Sequence, residues 1–187
     1  MAAQFGPSAL ATPANLVTMA RLVLTVPLLA VVLESGSSWF GFALWLALAL
    51  TDGVDGLIAR RHGTTRSGAF LDPLADKVLV LGMLIAFVAK GTFWWFPVAV
   101  ITARELGIQA FRSYWVRRGL AVPATVLAKA KTFVQQVAVG FALAPFTGTD
   151  ATWVANVALW VAVVLTVVTG VQYVMAGSRF ATSAGSR

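Results

Sequence analysis

The chain alternates between long apolar stretches and short polar breaks. Each stretch is long enough for one membrane-spanning helix, which needs roughly 20 mostly apolar residues. The breaks are short, so consecutive helices are expected to run antiparallel. The pattern predicts an all-α membrane protein with six transmembrane helices, approximately at Ala14–Val32, Trp39–Ala59, Ala69–Ala89, Phe93–Trp115, Val122–Pro145 and Trp153–Met175.

Composition supports this prediction. The chain is 59% hydrophobic and 11% charged, whereas a soluble domain carries about 25% charged residues. We expect one membrane-embedded domain over residues 1–187, with an N-terminal segment at 1–12 and a C-terminal tail at 178–187. The chain has no cysteine, which excludes disulfides and thiolate metal sites. The net charge is +7. We interpret the basic residues as topology signals and as ligands of anions, so no nucleic-acid partner is expected.

The basic residues are distributed unequally between the two sides of the predicted bundle. Seven follow the second, fourth and sixth helices, and one, Lys90, lies in the other breaks. We expect a bacterial-type inner membrane, and the positive-inside rule then places both termini on its cytoplasmic side. Four tryptophans beside the opposite breaks fit an aromatic belt. The seven basic residues are Arg60, Arg61, Arg66, Arg117, Arg118, Arg179 and Arg187, and the tryptophans are Trp39, Trp94, Trp95 and Trp153.

Four of the seven acidic residues fall inside one window of 25 residues. Asp52 and Asp55 are three residues apart and Asp72 and Asp76 are four apart, so each pair shares one helix face. In an antiparallel hairpin, Asp52 and Asp76 reach a similar depth, roughly 12 Å from the turn at 1.5 Å per residue. An aspartate at the centre of a spanning helix costs about 2.5–3.5 kcal/mol. The cluster therefore indicates a function.

Four neighbouring carboxylates cannot all stay ionised without a counter-charge. Divalent cations with oxygen ligands provide it, and Mg²⁺ or Mn²⁺ suits a site that phosphate completes. The same carboxylates also fit a proton or cation relay in a small transporter. Transporters tend to have midplane sites and repeated halves, and the two halves of this chain show no repeat.

A fixed pattern surrounds the aspartates. It reads Asp-x-x-Asp-Gly-x-x-Ala-Arg from Asp52 to Arg60 and, after seven residues, Gly-x-x-x-Asp-x-x-x-Asp from Gly68 to Asp76. This pattern resembles the signature of the CDP-alcohol phosphotransferases. Residues 13–21, 101–105 and 128–132 are similar to segments of those members that use a glycerophosphate acceptor.

The resemblance implies the six-helix fold of that family, embedded in membrane lipid and homodimeric. It implies that the four aspartates hold one or two divalent ions and that Asp76 is the catalytic base. From the residues alone, Asp76 fits either a base or a metal ligand. The donor would be CDP-diacylglycerol and the acceptor sn-glycerol 3-phosphate, giving phosphatidylglycerophosphate and CMP. Inositol phosphate or phosphatidylglycerol is the alternative acceptor.

The nucleotide of the donor needs polar contacts at the cytoplasmic mouth. Arg60 can reach the pyrophosphate, and Gly56 and Gly68 leave room for cytosine and ribose. The alternative for Asn15 and Thr18 is helix capping, and that for Arg60 is a membrane anchor. The predicted donor-binding residues are Asn15, Thr18, Arg21, Asp52, Gly56, Arg60 and Gly68.

An anionic acceptor needs a basic subsite. Arg104 and Arg112 lie about 80° apart on the fourth helix, so both can border one cavity. Lys129 and Lys131 lie about 200° apart on the fifth, so one of them faces it. Lys131 is chosen because Gln135 shares its face. The predicted acceptor-phosphate ligands are Arg104, Arg112 and Lys131.

Overall fold

Six α-helices follow one another in the described part of the chain, as the hydropathy pattern predicts. The computed structural model describes residues 13–62, 68–117, 126–145 and 148–184, without the side chains of 13–14, 52–62, 68–73, 112–117, 126, 128, 148–151, 174 and 176–184. Over these ranges the secondary structure is helical, with no strand. The helices are α1 (Pro13–Ser35), α2 (Trp39–His62), α3 (Gly68–Ala89), α4 (Trp95–Arg117), α5 (Val126–Leu143) and α6 (Gly148–Ala184).

Local sequence signals explain the helix boundaries at one end of the bundle. Gly36 has φ +69°, and its N–H donates to the Val32 carbonyl, a glycine C-terminal cap. The Ser38 hydroxyl accepts from the N–H of Gly41 at 3.0 Å and so caps the start of α2. Lys90 Nζ donates to the Leu33 carbonyl at 3.3 Å, which ties the end of α1 to the end of α3.

Helix α6 differs most from its predicted length. It runs for 37 residues, about 55 Å at 1.5 Å per residue, and continues through most of the predicted tail. Apolarity marks only the part of a helix that faces lipid, and the sequence contains no proline between Gly148 and Ala184. The predicted break at 146–152 was too long, because α6 begins at Gly148 and Asp150 lies in its first turn rather than in a loop.

The bundle interior has an apolar zone and a polar zone. The apolar core lies toward the connections α1–α2, α3–α4 and α5–α6, and includes Leu28, Trp45, Met83, Leu143 and Leu159. The buried polar side chains begin near the middle of their helices and extend toward the opposite end of the bundle, as the alternating helix directions require. They are Asn15, Thr18, Arg21, Thr25, Lys131, Gln135, Thr166 and Thr169.

The outer face is apolar. Leu16, Val23 and Val26 of α1 point outward, as do Val164 and Val167 of α6. Two segments of the described chain are by themselves long and apolar enough to cross a membrane, Asn15–Ser35 and Thr152–Tyr173. Carboxylates or basic residues interrupt the apolar runs of α2 to α5. So wide an apolar exterior is unusual for a soluble monomer and suits a lipid environment.

Candidate active site

The polar halves of four helices meet at one end of the bundle. Lys77 Nζ of α3 donates to Gln109 Oε1 of α4 at 3.0 Å. Lys131 of α5 forms an ion pair with Glu105 of α4. Helix α6 joins the same region through a hydrogen bond to α4, described below. The predicted acidic and basic groups therefore belong to helix segments that are near neighbours.

The predicted metal ligands lie on two helices that flank one short connection. Asp52 and Asp55 are in α2, and Asp72 and Asp76 are in α3. Asp76 is half-buried, and the side chains of the other three lie outside the described residues. Among the side chains that are described, no group of three or more metal-ligating residues occurs. The convergence of the four carboxylates therefore stays a prediction.

Helix α1 turns a polar stripe toward the interior. Asn15, Thr18 and Arg21 are all buried, and Arg21 is only 1% exposed. Helix α1 begins at Pro13, which suits the first helical position. Thr18 therefore lies well inside the helix and is not its cap. Helix α1 packs most extensively against α3, the helix that carries Asp72 and Asp76. Donor binding by the three residues stays a prediction.

The basic subsite contains two cations and one carboxylate. Lys131 is 3% exposed, whereas Lys129 is exposed, so the predicted orientation of α5 is confirmed. Glu105 pairs with Lys131 and also accepts from Arg104 Nη1 at 3.2 Å. Glu105 therefore bridges Arg104 and Lys131. Among the described side chains one of these two positive charges has no counter-charge of its own, which favours an anionic ligand.

Several predicted site residues are placed only by their helix. Gly56 and Arg60 lie in the second half of α2, Gly68 is the first residue of α3, and Arg112 lies in the last two turns of α4. Their side chains fall outside the part of the chain that the structure describes. Their roles stay predictions. His62 ends α2 rather than lying in a loop.

Helix α6 supplies two residues that the sequence did not predict. Thr169 Oγ1 accepts from Arg104 Nη2 at 2.8 Å, and the Arg104 guanidinium carbon lies 5.6 Å from the centroid of the Tyr173 ring. A signal was present in the sequence. Thr166, Thr169 and Tyr173 recur at spacings of three and four within an apolar span, which places them on one face.

Comparison with known proteins agrees with the resemblance. A sequence model of the CDP-alcohol phosphatidyltransferase family matches residues 11–168. A Mycobacterium tuberculosis H37Rv protein, named a probable phosphatidylglycerophosphate synthase, is 39% identical over 176 residues, covering 90% of this chain and 83% of its own. An Escherichia coli K12 protein is 37% identical over 173 residues, covering 87% and 92%.

A Bacillus subtilis 168 relative is 35% identical over 178 residues, covering 85% of this chain and 91% of its own. It and the Escherichia coli relative are both named CDP-diacylglycerol–glycerol-3-phosphate 3-phosphatidyltransferase. The family match at residues 11–168 includes the segments of α1 to α5 that form the candidate site. This helical membrane protein is an enzyme of the CDP-alcohol phosphatidyltransferase family.

Proposed function

We propose that this enzyme transfers the phosphatidyl group of CDP-diacylglycerol to sn-glycerol 3-phosphate, releasing CMP. The observation that carries the proposal is the buried basic cluster of Arg104 and Lys131, because an acceptor that bears its own phosphate needs such a subsite. The names of the relatives at 35–39% identity support the same pair of substrates. Membership of this family favours the enzyme over a cation-coupled transporter.

The donor pyrophosphate is assigned to the carboxylates of α2 and α3. Asp52, Asp55, Asp72 and Asp76 provide only oxygen donors, which fits one or two Mg²⁺ or Mn²⁺ ions. Such ions neutralise pyrophosphate charge and stabilise the leaving CMP. Asn15, Thr18 and Arg21 bind the nucleotide side together with Arg60, and Gly56 and Gly68 leave room for it.

The chemistry is a substitution at phosphorus. The acceptor hydroxyl oxygen forms a bond to the phosphatidyl phosphorus, and the bond from that phosphorus to the oxygen of CMP breaks. The hydroxyl proton passes to a carboxylate, which we assign to Asp76. General-base catalysis contributes typically about 10²- to 10⁴-fold, and positioning and electrostatics supply the rest.

The acceptor phosphate is assigned to Arg104, Arg112 and Lys131. Arginine offers a two-pronged donor to phosphate oxygens. The contact between Lys77 and Gln109, at 3.0 Å, links the turn of α3 that carries Asp76 to the turn of α4 that follows Arg104. The acceptor hydroxyl and the acceptor phosphate can thus be held by neighbouring turns of two helices.

We further propose that the protein is a homodimer and that its active site and both termini face the cytoplasm.

The test is CMP release by the purified full chain in detergent with CDP-diacylglycerol and Mn²⁺ or Mg²⁺. Glycerol 3-phosphate, inositol phosphate and phosphatidylglycerol are offered separately as acceptors. Release that needs glycerol 3-phosphate and metal is expected. Preference for another acceptor, or no release from folded protein, would contradict the proposal.

Asp76→Asn tests the assignment of the base. The amide cannot accept the proton, so turnover should fall about 10²- to 10⁴-fold. Asp150→Asn is the matched control, since Asp150 lies in the first turn of α6, outside the proposed site. Turnover by Asp76→Asn at the wild-type rate would remove Asp76 as the base.

A further inference from the structure

Arg104 of α4 is held against α6 by two contacts. Its Nη2 donates to Thr169 Oγ1 at 2.8 Å, and its guanidinium carbon lies 5.6 Å from the centroid of the Tyr173 ring, within the range of a cation–π contact. Thr169 and Tyr173 are four residues apart and share one helix face. Both are buried and the Arg104 side chain is 12% exposed, so the two contacts are largely shielded from bulk water.

The hydroxyl of Thr169 has a fixed direction. Its single hydrogen points back at its own helix, where the Leu165 carbonyl lies at 2.7 Å and the Thr166 carbonyl at 3.2 Å. It can therefore only accept from Arg104. Gly170 follows, and a Cβ there would lie 3.5 Å from Arg104 Cγ, so the stem of Arg104 packs closely along α6.

Part of the donor capacity of Arg104 is left for a ligand. Guanidinium has five N–H groups. One meets Thr169 and one meets Glu105. The buried Nε has no hydrogen-bond partner among the described residues. It packs beside Gly170, where an added Cβ would lie 3.7 Å from it. Nη1 and Nη2 each carry a second N–H group, and these two can donate to phosphate oxygens.

We propose that Thr169 and Tyr173 are positioning residues that aim the Arg104 guanidinium at the phosphate of the acceptor. The proposal rests on the proposed function and adds α6 to the acceptor subsite. The segment of the chain that matches the family model ends at residue 168, just before both residues. Thr169 fixes the guanidinium edge by a hydrogen bond, and Tyr173 fixes its plane by the ring face.

Thr169→Val tests the hydrogen bond, because it removes the acceptor oxygen and keeps the side-chain shape. The KM for glycerol 3-phosphate should rise about tenfold, the lower range for a hydrogen bond to a charged group. The KM for CDP-diacylglycerol should stay unchanged. Thr169→Ser should restore the wild-type value. The matched control is Thr166→Val, since Thr166 is buried one turn away and its hydroxyl makes no hydrogen bond to a described residue.

Tyr173 is tested by two variants. Tyr173→Leu removes the ring and should raise the same KM about threefold to tenfold, as expected for a cation–π contact shielded from water. Tyr173→Phe keeps the ring face and should leave the KM near the wild-type value. Equal effects of the two variants would overturn the role of the ring.

The outcomes separate this proposal from the proposed function. If the wild-type chain releases CMP with glycerol 3-phosphate but Thr169→Val behaves as Thr166→Val does, the positioning role is wrong and the activity stands. A rise in KM for both substrates would also overturn it, because that indicates a general loss of structure. If Thr169→Val does not fold, Thr169→Ala must show the same selective rise.

Discussion

Lys131 and Lys129 are two residues apart on α5 and have opposite surroundings. Lys131 is buried and paired with Glu105, whereas Lys129 is exposed. A buried ammonium group with an acidic partner is held in one position and can belong to a binding site. An exposed ammonium group contacts water or lipid headgroups. The two lysines therefore provide a matched pair for testing the acceptor subsite.

Lys131→Met should lower kcat/KM for glycerol 3-phosphate by about 10- to 100-fold, because a hydrogen bond to a charged group contributes about 1.5–3 kcal/mol. The variant keeps the length of the stem, and Glu105 keeps Arg104 as its partner. Lys129→Met should be close to wild type. Steady-state kinetics with the acceptor varied check this, and equal kinetics for the two variants would remove Lys131 from the subsite.

At the residue scale, helical periodicity predicted which of the two lysines is buried. It did not predict Thr169 or Tyr173, because their contacts with Arg104 span 65 residues of sequence or more. A threonine in an apolar helix commonly bonds its own backbone, as Thr25 does with the Arg21 carbonyl. The spacing of Thr166, Thr169 and Tyr173 indicates a shared helix face, but only the packing of α4 on α6 shows that Thr169 contacts Arg104.

At the scale of helices, the position of α2 depends on a close approach to α5. The Trp45 ring of α2 lies over Gly140 of α5, where an added Cβ would come 2.6 Å from Cη2. Trp45 is buried, and the centroid of its ring lies 5.9 Å from that of the Phe42 ring. It therefore cannot easily move aside. Helix α2 carries two of the predicted metal ligands, so this contact also positions the site.

Gly140→Ala should lower the free energy of unfolding by about 1–3 kcal/mol, the usual cost of overpacking a filled core. Gly107→Ala on α4 is the control, because an added Cβ there meets nothing within 4 Å. Alanine in a helix is about 0.5–1 kcal/mol more favourable than glycine, so this control should be slightly more stable than wild type. Thermal unfolding in detergent measures both, and a stable Gly140→Ala would contradict the close helix contact.

Helix number and order were predictable because each mostly apolar run has about the length that a helix needs to cross the bilayer. Helix ends were less predictable. Helix α5 ends at Leu143, two residues before Pro145, since a proline disfavours helix at the residue before it. Helix α6 extends beyond its apolar run because hydrogen bonding, and not lipid contact, determines where a helix stops.

At the scale of the whole molecule, the two zones of the interior give the bundle a direction. The apolar zone lies at the end with Gly36 and Gly91, both at positive φ in the α1–α2 and α3–α4 connections. The polar zone lies at the other end, with the parts of α2 and α3 that carry the four aspartates and with Arg104 and Lys131. A nucleotide and a glycerol phosphate are water-soluble groups, so the polar zone must open toward water while the donor lipid stays in the bilayer.

The proposed orientation places that polar end in the cytoplasm, and the cysteine-free chain allows a direct test. Ser37→Cys puts a thiol in the exposed α1–α2 connection, and Ser183→Cys puts one in the last turn of α6. A membrane-impermeant maleimide should label only Ser37→Cys in intact bacterial spheroplasts, and both variants after permeabilisation. Labelling of denatured protein controls for thiol reactivity. Labelling of Ser183→Cys in intact spheroplasts would reverse the orientation, because six crossings place the α6 end and the active site on the same side.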